Sequence, residues 1–247
     1  MKFIEKQIKR VTLKSPIIIQ GLPGIGNVGR LAVDYLIDET DAVLFKEIYS
    51  SSFPNSVFVN ADSTVSLPSL RFYHRRIKSK DYVFIMGDAQ PTEEEKSFEL
   101  SEKIVETAKK WGARLIITIG GIGLRAEPSK PKVHAVVSDP KMKKQLKNYV
   151  ILDGDKTVGF IVGANGLVVG LASLAKLKAI ALLSETFAHP EHFGINAALS
   201  ALEVVNSITG LNIELNRLKS EVKSLKRRAK KVAQMEESSP EEMSYIG

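Results

Sequence analysis

An α/β fold with a mainly parallel sheet flanked by helices is what this 247-residue sequence predicts. Three observations carry the prediction. The apolar run at 16–19 enters the stretch Gly21-Leu22-Pro23-Gly24-Ile25-Gly26-Asn27-Val28-Gly29, after which Leu31, Ala32, Tyr35 and Leu36 recur at helical spacing. That order reads as strand, tight turn and helix. Residues 82–86 are an unbroken apolar run, and 115–119 are apolar but for Thr118, the texture of parallel strands buried on both faces. Such runs alternate with helical segments along the chain, the pattern of a sheet covered on both sides.

Taken in order, residues 9–13 are expected as a leading edge strand. The helix after the glycine turn closes at Thr40-Asp41, and residues 42–45 form the next strand. Residues 53–76 differ in texture: 57–59 and 69–73 are extended segments around Ala61-Asp62-Ser63, the signal of a β-hairpin insertion. The strand at 82–86 ends in Gly87-Asp88-Ala89-Gln90-Pro91. Thr92 and Glu95 then have capping-box spacing, and Phe98, Ile104, Val105 and Ala108 supply the apolar face of a helix ending near Trp111-Gly112. Residues 115–119 run into a second glycine turn, Gly120-Gly121-Ile122-Gly123. A strand at 133–137 precedes a short basic helix opened by Pro140. A third glycine-rich passage, 159–166, leads to a small-residue helix at 168–178, a strand at 179–184 and a helix at 195–208.

From Leu211 the pattern changes. Leu211, Leu215, Leu218, Val222, Leu225, Ala229 and Val232 alternate spacings of four and three, the heptad rule held for about three heptads. A stripe this narrow calls for a second helix against it, in another chain or in the same one. Residues 236–247 are acidic and contain Pro240, the composition of a flexible tail. The expected organisation is an α/β globular domain at 1–210, a C-terminal heptad helix at 211–235 and the acidic tail at 236–247.

Composition narrows the function. There are no cysteines, which excludes disulfides, thiolate nucleophiles and cysteine-ligated metals. The start of the chain lacks an apolar leader and no run approaches the roughly 18 residues of a membrane span, so a soluble cytoplasmic protein is expected. The formal net charge is +7, and residues 216–232 hold eight Lys and Arg against one Glu, which is the same +7. The rest of the chain is neutral. The basic helix carries no aromatic residue for base stacking, so nucleic acid is not expected as a partner.

Four constellations bear on chemistry. Gly24-x-Gly26-x-x-Gly29 has dinucleotide-fingerprint spacing, with Glu47 as the acid about 20 residues on. Glycines at Gly21, Gly24, Gly26 and Gly29 equally serve a close strand-to-helix joint. His189-Pro190-Glu191-His192 offers two imidazoles and a carboxylate, but without the spacing of a zinc site. No Gly-x-Ser-x-Gly elbow exists, and Asp88 lies beyond a strand's carboxyl end, where α/β enzymes place functional groups. At the end of the chain, Met243, Tyr245 and Ile246 are apolar side chains on a polar arm, suited to a receiving partner.

Gly21-Leu22-Pro23-Gly24-Ile25-Gly26-Asn27-Val28-Gly29, Phe53-Pro54, Leu67-Pro68, Gly87-Asp88-Ala89-Gln90-Pro91, Gly120-Gly121, Gly163-Ala164-Asn165-Gly166-Leu167 and His189-Pro190 together resemble the proteasome assembly chaperone family, in particular its archaeal members. The match runs in order through 16–210. The resemblance implies an α/β fold similar to phosphorylases and hydrolases but without catalysis or a cofactor. It further implies homo-oligomerisation and docking of C-terminal tails, here Met243, Tyr245, Ile246 and Gly247, on α subunits of the proteasome core. The family's docking tail has a penultimate tyrosine, whereas Ser244-Tyr245-Ile246-Gly247 sets it third from last. A related assembly partner therefore stands beside the proteasome as an alternative. The leading expectation is an ATP-independent, non-enzymatic adaptor. The competing one is a nucleotide-binding or phosphorylase-like or hydrolase-like enzyme using the turn at 21–29.

Overall fold

Eight strands make one mixed sheet in the computed structural model, which describes residues 3–152 and 159–237, side chains at 226 and 228–237 excepted. In chain order these are β1 (Phe3–Gln7), β2 (Ile17–Gly21), helix α1 (Val28–Thr40), β3 (Val43–Ser50), a separate hairpin of β4 (Phe58–Val59) and β5 (Val65–Ser66), β6 (Leu70–Ile77) and β7 (Lys80–Gly87). There follow α2 (Glu94–Lys110), β8 (Leu115–Leu124), β9 (Val133–Val137), the short α3 (Lys143–Leu146), α4 (Ala164–Leu174), β10 (Ala179–Phe187) and α5 (Ile195–Thr209). These belong to one unit, Met1–Ile213; a second unit, Glu214–Gly247, contains α6 (Asn216–Glu237).

The sheet order is β1-β3-β6-β7-β2-β8-β10-β9. Its centre, β7, β2, β8 and β10, is parallel. The flanks are antiparallel, through β1–β3, β3–β6, β6–β7 and β9–β10. The expectation of a mainly parallel sheet therefore holds for the centre and gives way to a mixed sheet overall. Tight hairpin geometry explains the β6–β7 pair, since the two are joined through Lys78 and Ser79, both with positive φ, and such a link permits only an antiparallel pair.

Helices cover both faces. On one, α2 and α4 pack together and bury Leu100, Ile104, Ala164 and Val168 against Ile18, Val83, Ile85 and Ile116. On the other, α1 packs on β2, β8 and β7, and α5 packs on α1 and β10. The centre strands are apolar on both sides because both sides are roofed: Ile17, Ile18 and Ile19 are all buried. Each such side chain stabilises the fold by about 1.5–3 kcal/mol relative to exposure.

Several boundaries differ from the sequence reading. The edge strand is β1, not residues 9–13. The amides of Ile8 and Lys9 both fall on the Phe45 carbonyl, ending the ladder, and Val11 and Leu13 turn in to pack on the core beside Trp111. The hairpin insertion is confined to β4 and β5, while the second extended segment becomes β6 of the main sheet. Thr92 does not cap α2; the cap position is Glu93, without a side-chain hydrogen bond, and Glu94, Glu95, Lys109 and Lys110 complement the helix dipole instead. α4 starts at Ala164, earlier than residue 168, because Gly163 adopts φ +83° just before it. Leu211 precedes α6 and is held in the larger unit. Gly210 ends α5 at φ +69°, and the Asn206 side chain donates to the Ile213 carbonyl (2.9 Å) and accepts from its amide (3.1 Å). α6 itself begins at Asn216, and Met243, Tyr245, Ile246 and Gly247 lie outside the described residues.

Candidate functional site

In an open α/β sheet the ligand crevice lies at the carboxyl ends of adjacent parallel strands whose following helices go to opposite faces. Here that point falls between β2 and β7, because α1 leaves β2 for one face and α2 leaves β7 for the other. The segments that meet there are Gly21-Leu22-Pro23 and Gly87-Asp88-Ala89-Gln90, two of the motifs singled out from sequence.

The protein's own groups fill this place. The Gln90 amide donates to the Pro23 carbonyl at 2.5 Å, and its oxygen accepts from the Ala164 N–H at 3.2 Å. One side chain thus ties the turn after β2 to the first residue of α4. Beneath it, the Leu22 side chain sits so close to Gly87 that a Cβ on Gly87 would approach it to 2.5 Å. Arg30 on α1 reaches back to donate to the Gly87 carbonyl at 3.0 Å.

The four glycines of the first turn have unequal duties. A methyl on Gly21 would collide with the Gly29 carbonyl, and one on Gly29 with the Ile119 carbonyl, so β2, α1 and β8 meet backbone to backbone. Gly26 has φ +60° and faces the Thr186 side chain. Gly24 is extended, and a Cβ there meets only Gln90 at an ordinary 3.6 Å. The fingerprint acid fails on topology. Glu47 lies on β3, separated from β2 by β6 and β7, about 14 Å away at the usual strand spacing. It accepts from the Tyr49 hydroxyl at 2.9 Å and pairs with Lys6 at 3.3 Å.

Asp88 is committed to bonds within the fold. It pairs with Arg71 and with Arg30 (3.5 Å), and accepts from the Ser69 amide (3.1 Å) and hydroxyl (3.3 Å). Asn165, in the third glycine passage, donates to the Ile119 carbonyl at 3.1 Å, and Thr118 donates to the Asn165 carbonyl at 3.0 Å. His189 stacks on Phe187 and accepts from the Glu191 amide, while His192 lies 3.9 Å from Glu127. Among the described residues no group of three or more His, Cys, Asp or Glu is placed to hold a metal, and no helix is long and apolar enough to cross a membrane.

Two carboxylates are strongly perturbed, both in structural clusters. Glu5 on β1 receives Lys103 and Lys46, each at 2.6 Å, and these hydrogen bonds outweigh its partial desolvation and lower it to about 2. Asp81 is nearly inaccessible. Burial raises its carboxyl, but hydrogen bonds from Arg76, His74 and the Lys14 amide prevail and leave it well below the usual carboxylate range. The Lys46 ammonium also lies 5.7 Å from the Trp111 ring centre, in a cation–π contact that closes the α2 edge of the sheet.

Sequence reasoning missed the bridging role of Gln90 and the outward apolar residues. Val59 lies opposite Val65 in the β4–β5 hairpin, with Val57 and Leu67 next along the same face, and all four are exposed. The signal was present, since residues 55–69 carry Asp62 as their one charge.

These features define a three-layer α/β protein whose ligand crevice is occupied by its own side chains. Residues 18–233 match the PAC2 family, and the chain belongs to that family. It is 31% identical to the uncharacterized protein MJ1210 of Methanocaldococcus jannaschii, over 100% of this chain and 98% of that one. The solved structure of Pyrococcus furiosus PbaB, described as an archaeal proteasome activator, is similar at TM-score 0.85 and 31% identity, covering 94% of this chain and 98% of that chain. Pyrococcus furiosus PbaA, described as an archaeal homolog of proteasome-assembly chaperone, is similar at TM-score 0.76 and 26% identity, over 95% and 94% of the two chains.

Proposed function

We propose that this chain is an ATP-independent, non-enzymatic adaptor of the proteasome assembly chaperone type, acting in the cytoplasm as a homo-oligomer. The observation that carries this reading is the Gln90 bridge across the switch point, which puts protein where an α/β enzyme puts substrate. The likeness to PbaB and PbaA supports a proteasome-related partner, and the partner proposed is α subunits of the proteasome core or a related assembly component.

In this reading the α/β body is a rigid platform, and the contact chemistry sits beyond it. Leu215, Leu218, Val222, Leu225, Ala229 and Val232 pack against a second helix, with Leu211 at their base. Residues 236–247 extend from α6 and present Met243, Tyr245, Ile246 and Gly247 to the partner. Several tails on one oligomer raise avidity when their spacing matches that of the partner's sites.

Affinity capture with purified proteasome α subunits, by the full chain and by a chain ending at residue 235, tests the reading. Loss of capture with unchanged oligomer mass is the expected result. Undiminished capture by the shortened chain overturns the tail's role. Leu218→Asp with Leu225→Asp is expected to change the native mass or the melting temperature, and no change in either argues against the helix seam.

A further inference from the structure

We propose that the outer face of α4, with residues 159–163 that lead into it, is the surface through which two copies of this chain associate. The inference rests on the homo-oligomeric reading above and names the contact that reading needs.

The eleven residues of α4, Ala164-Asn165-Gly166-Leu167-Val168-Val169-Gly170-Leu171-Ala172-Ser173-Leu174, include no charge. Its inner side is accounted for, since Ala164, Val168, Val169 and Ala172 are buried in the larger unit. A helix on a solvated surface carries polar residues on its other side. This one carries Leu167, Gly170, Leu171 and Leu174 instead. Leu174 is 83% exposed, Phe160 at 85% and Phe98 at 45% line the same groove, and Val162, 82% exposed, lies just before the start of the helix. Among the described residues, the groove of about 650 Å³ that Phe98, Phe160, Leu167, Leu171 and Leu174 line has no charged side chain in its wall.

Size and charge select the occupant. A fully exposed aromatic contributes about 150–250 Å² and Leu and Val somewhat less, so with Phe98 only half exposed these four side chains present roughly 450 Å² of apolar surface. That is within the about 300–600 Å² of a typical monomer's largest patch, which is often functional, and is over half of the roughly 800 Å² each partner gives to a stable pair. A two-fold contact must be self-complementary, since each residue meets the same patch on the other copy. In a chain of which 26% is charged, an uncharged apolar face meets itself without opposing like charges. Gly170 is exposed, and among the described residues no atom outside its chain neighbours and its own helix backbone lies within 4 Å of where its Cβ would be, so a second helix can come close there. A second copy of this chain therefore fits the face.

The test uses the full chain. Native mass is measured for the wild type and for Phe160→Glu with Leu174→Glu. Both side chains are more than four-fifths exposed, so circular dichroism and melting of the unassociated variant serve as the folding control. The wild type is expected as a dimer or larger, and the variant is expected to associate at least about 100-fold more weakly, because each contact would bury unpaired carboxylates. Because the chain has no cysteine, Leu174→Cys supplies a single thiol. It should react slowly with maleimide in the oligomer and freely once Phe160→Glu is added. A variant that keeps the wild-type mass, or a thiol that reacts freely in the intact oligomer, overturns the assignment of this face and leaves the oligomeric reading standing. A wild type that is monomeric at micromolar concentration overturns both, and a thiol protected in a monomer shows the face covered by its own chain or by another partner.

Discussion

The Gln90 amide and the Pro23 carbonyl are joined at 2.5 Å across the carboxyl ends of β7 and β2, with the same side chain accepting from Ala164. Three loops far apart in sequence are thereby fixed by one uncharged residue.

Gln90→Ala removes both bonds and leaves a carbonyl and an amide to be resolvated in a partly buried place. The expected cost is about 1–3 kcal/mol, read as a lower melting temperature by about 2–4 °C per kcal/mol. Gln90→Glu keeps the acceptor for Ala164 but sets a carboxylate against the Pro23 carbonyl. It should be less stable than the wild type at neutral pH and recover on acidification, when the carboxyl can donate. Melting curves at two pH values distinguish these outcomes.

The glycines of the first turn should rank by their contacts. Gly21→Ala and Gly29→Ala each drive a methyl into a backbone carbonyl and are expected to cost about 3 kcal/mol or more. Gly24→Ala should stay within about 0.5 kcal/mol, since only the Gln90 side chain is near. Denaturant midpoints for the three variants check the order, and equal sensitivity at Gly24 would argue for a ligand-cradling turn.

A closed switch point should give no response to nucleotides. With ATP, NAD or NADP at millimolar concentration the melting temperature is expected to move by less than about 1 °C, because binding at 100 times Kd would add about 2.7 kcal/mol. A rise of several degrees that disappears in Gly26→Val would sink the adaptor reading in favour of an enzyme.

Acid should destabilise the body through Glu5 and Asp81. Both carboxyls are lower in the folded chain than in the unfolded one, so their contribution is present in full above the unfolded values. It is lost as pH falls through the folded ones. Stability is therefore expected to decline from about pH 4.5 toward pH 2. Glu5→Gln should flatten part of that decline while lowering stability at pH 7. Urea midpoints from pH 2.5 to 7 measure both effects.

Gln20 on β2 is fully buried, and neither polar atom of its amide has a hydrogen-bond partner among the described residues. Gln20→Met keeps the shape and removes the polar group, so it is expected to stabilise by about 1 kcal/mol, seen as a higher denaturant midpoint. A loss of more than about 1 kcal/mol would show that the amide is satisfied in solution.

The strands and helices of the body were legible because their signals are local. Apolar runs at 16–19, 82–86 and 115–117 and helical spacing after residues 28 and 94 lie within windows of ten to twenty residues. Where an element was misplaced, a longer-range contact decided it. Phe45 ended β1 early, and Asn206 held residues 211–213 to the larger unit.

The candidate site was half legible. The glycine turn was evident, and its two readings, phosphate cradle or packing joint, were equally open to a local pattern. Strand order separated them, because it places β6 and β7 between Glu47 and β2 and brings Gln90 over Pro23. The sequence by itself determined the central strands, the helices that follow them and most of the turns between, since backbone preference and side-chain periodicity act between near neighbours. The tertiary structure alone decided that the crevice is filled and that α4 keeps one apolar side outward. Both depend on which distant surfaces meet, and burial is conferred by the partner surface as much as by the residue itself.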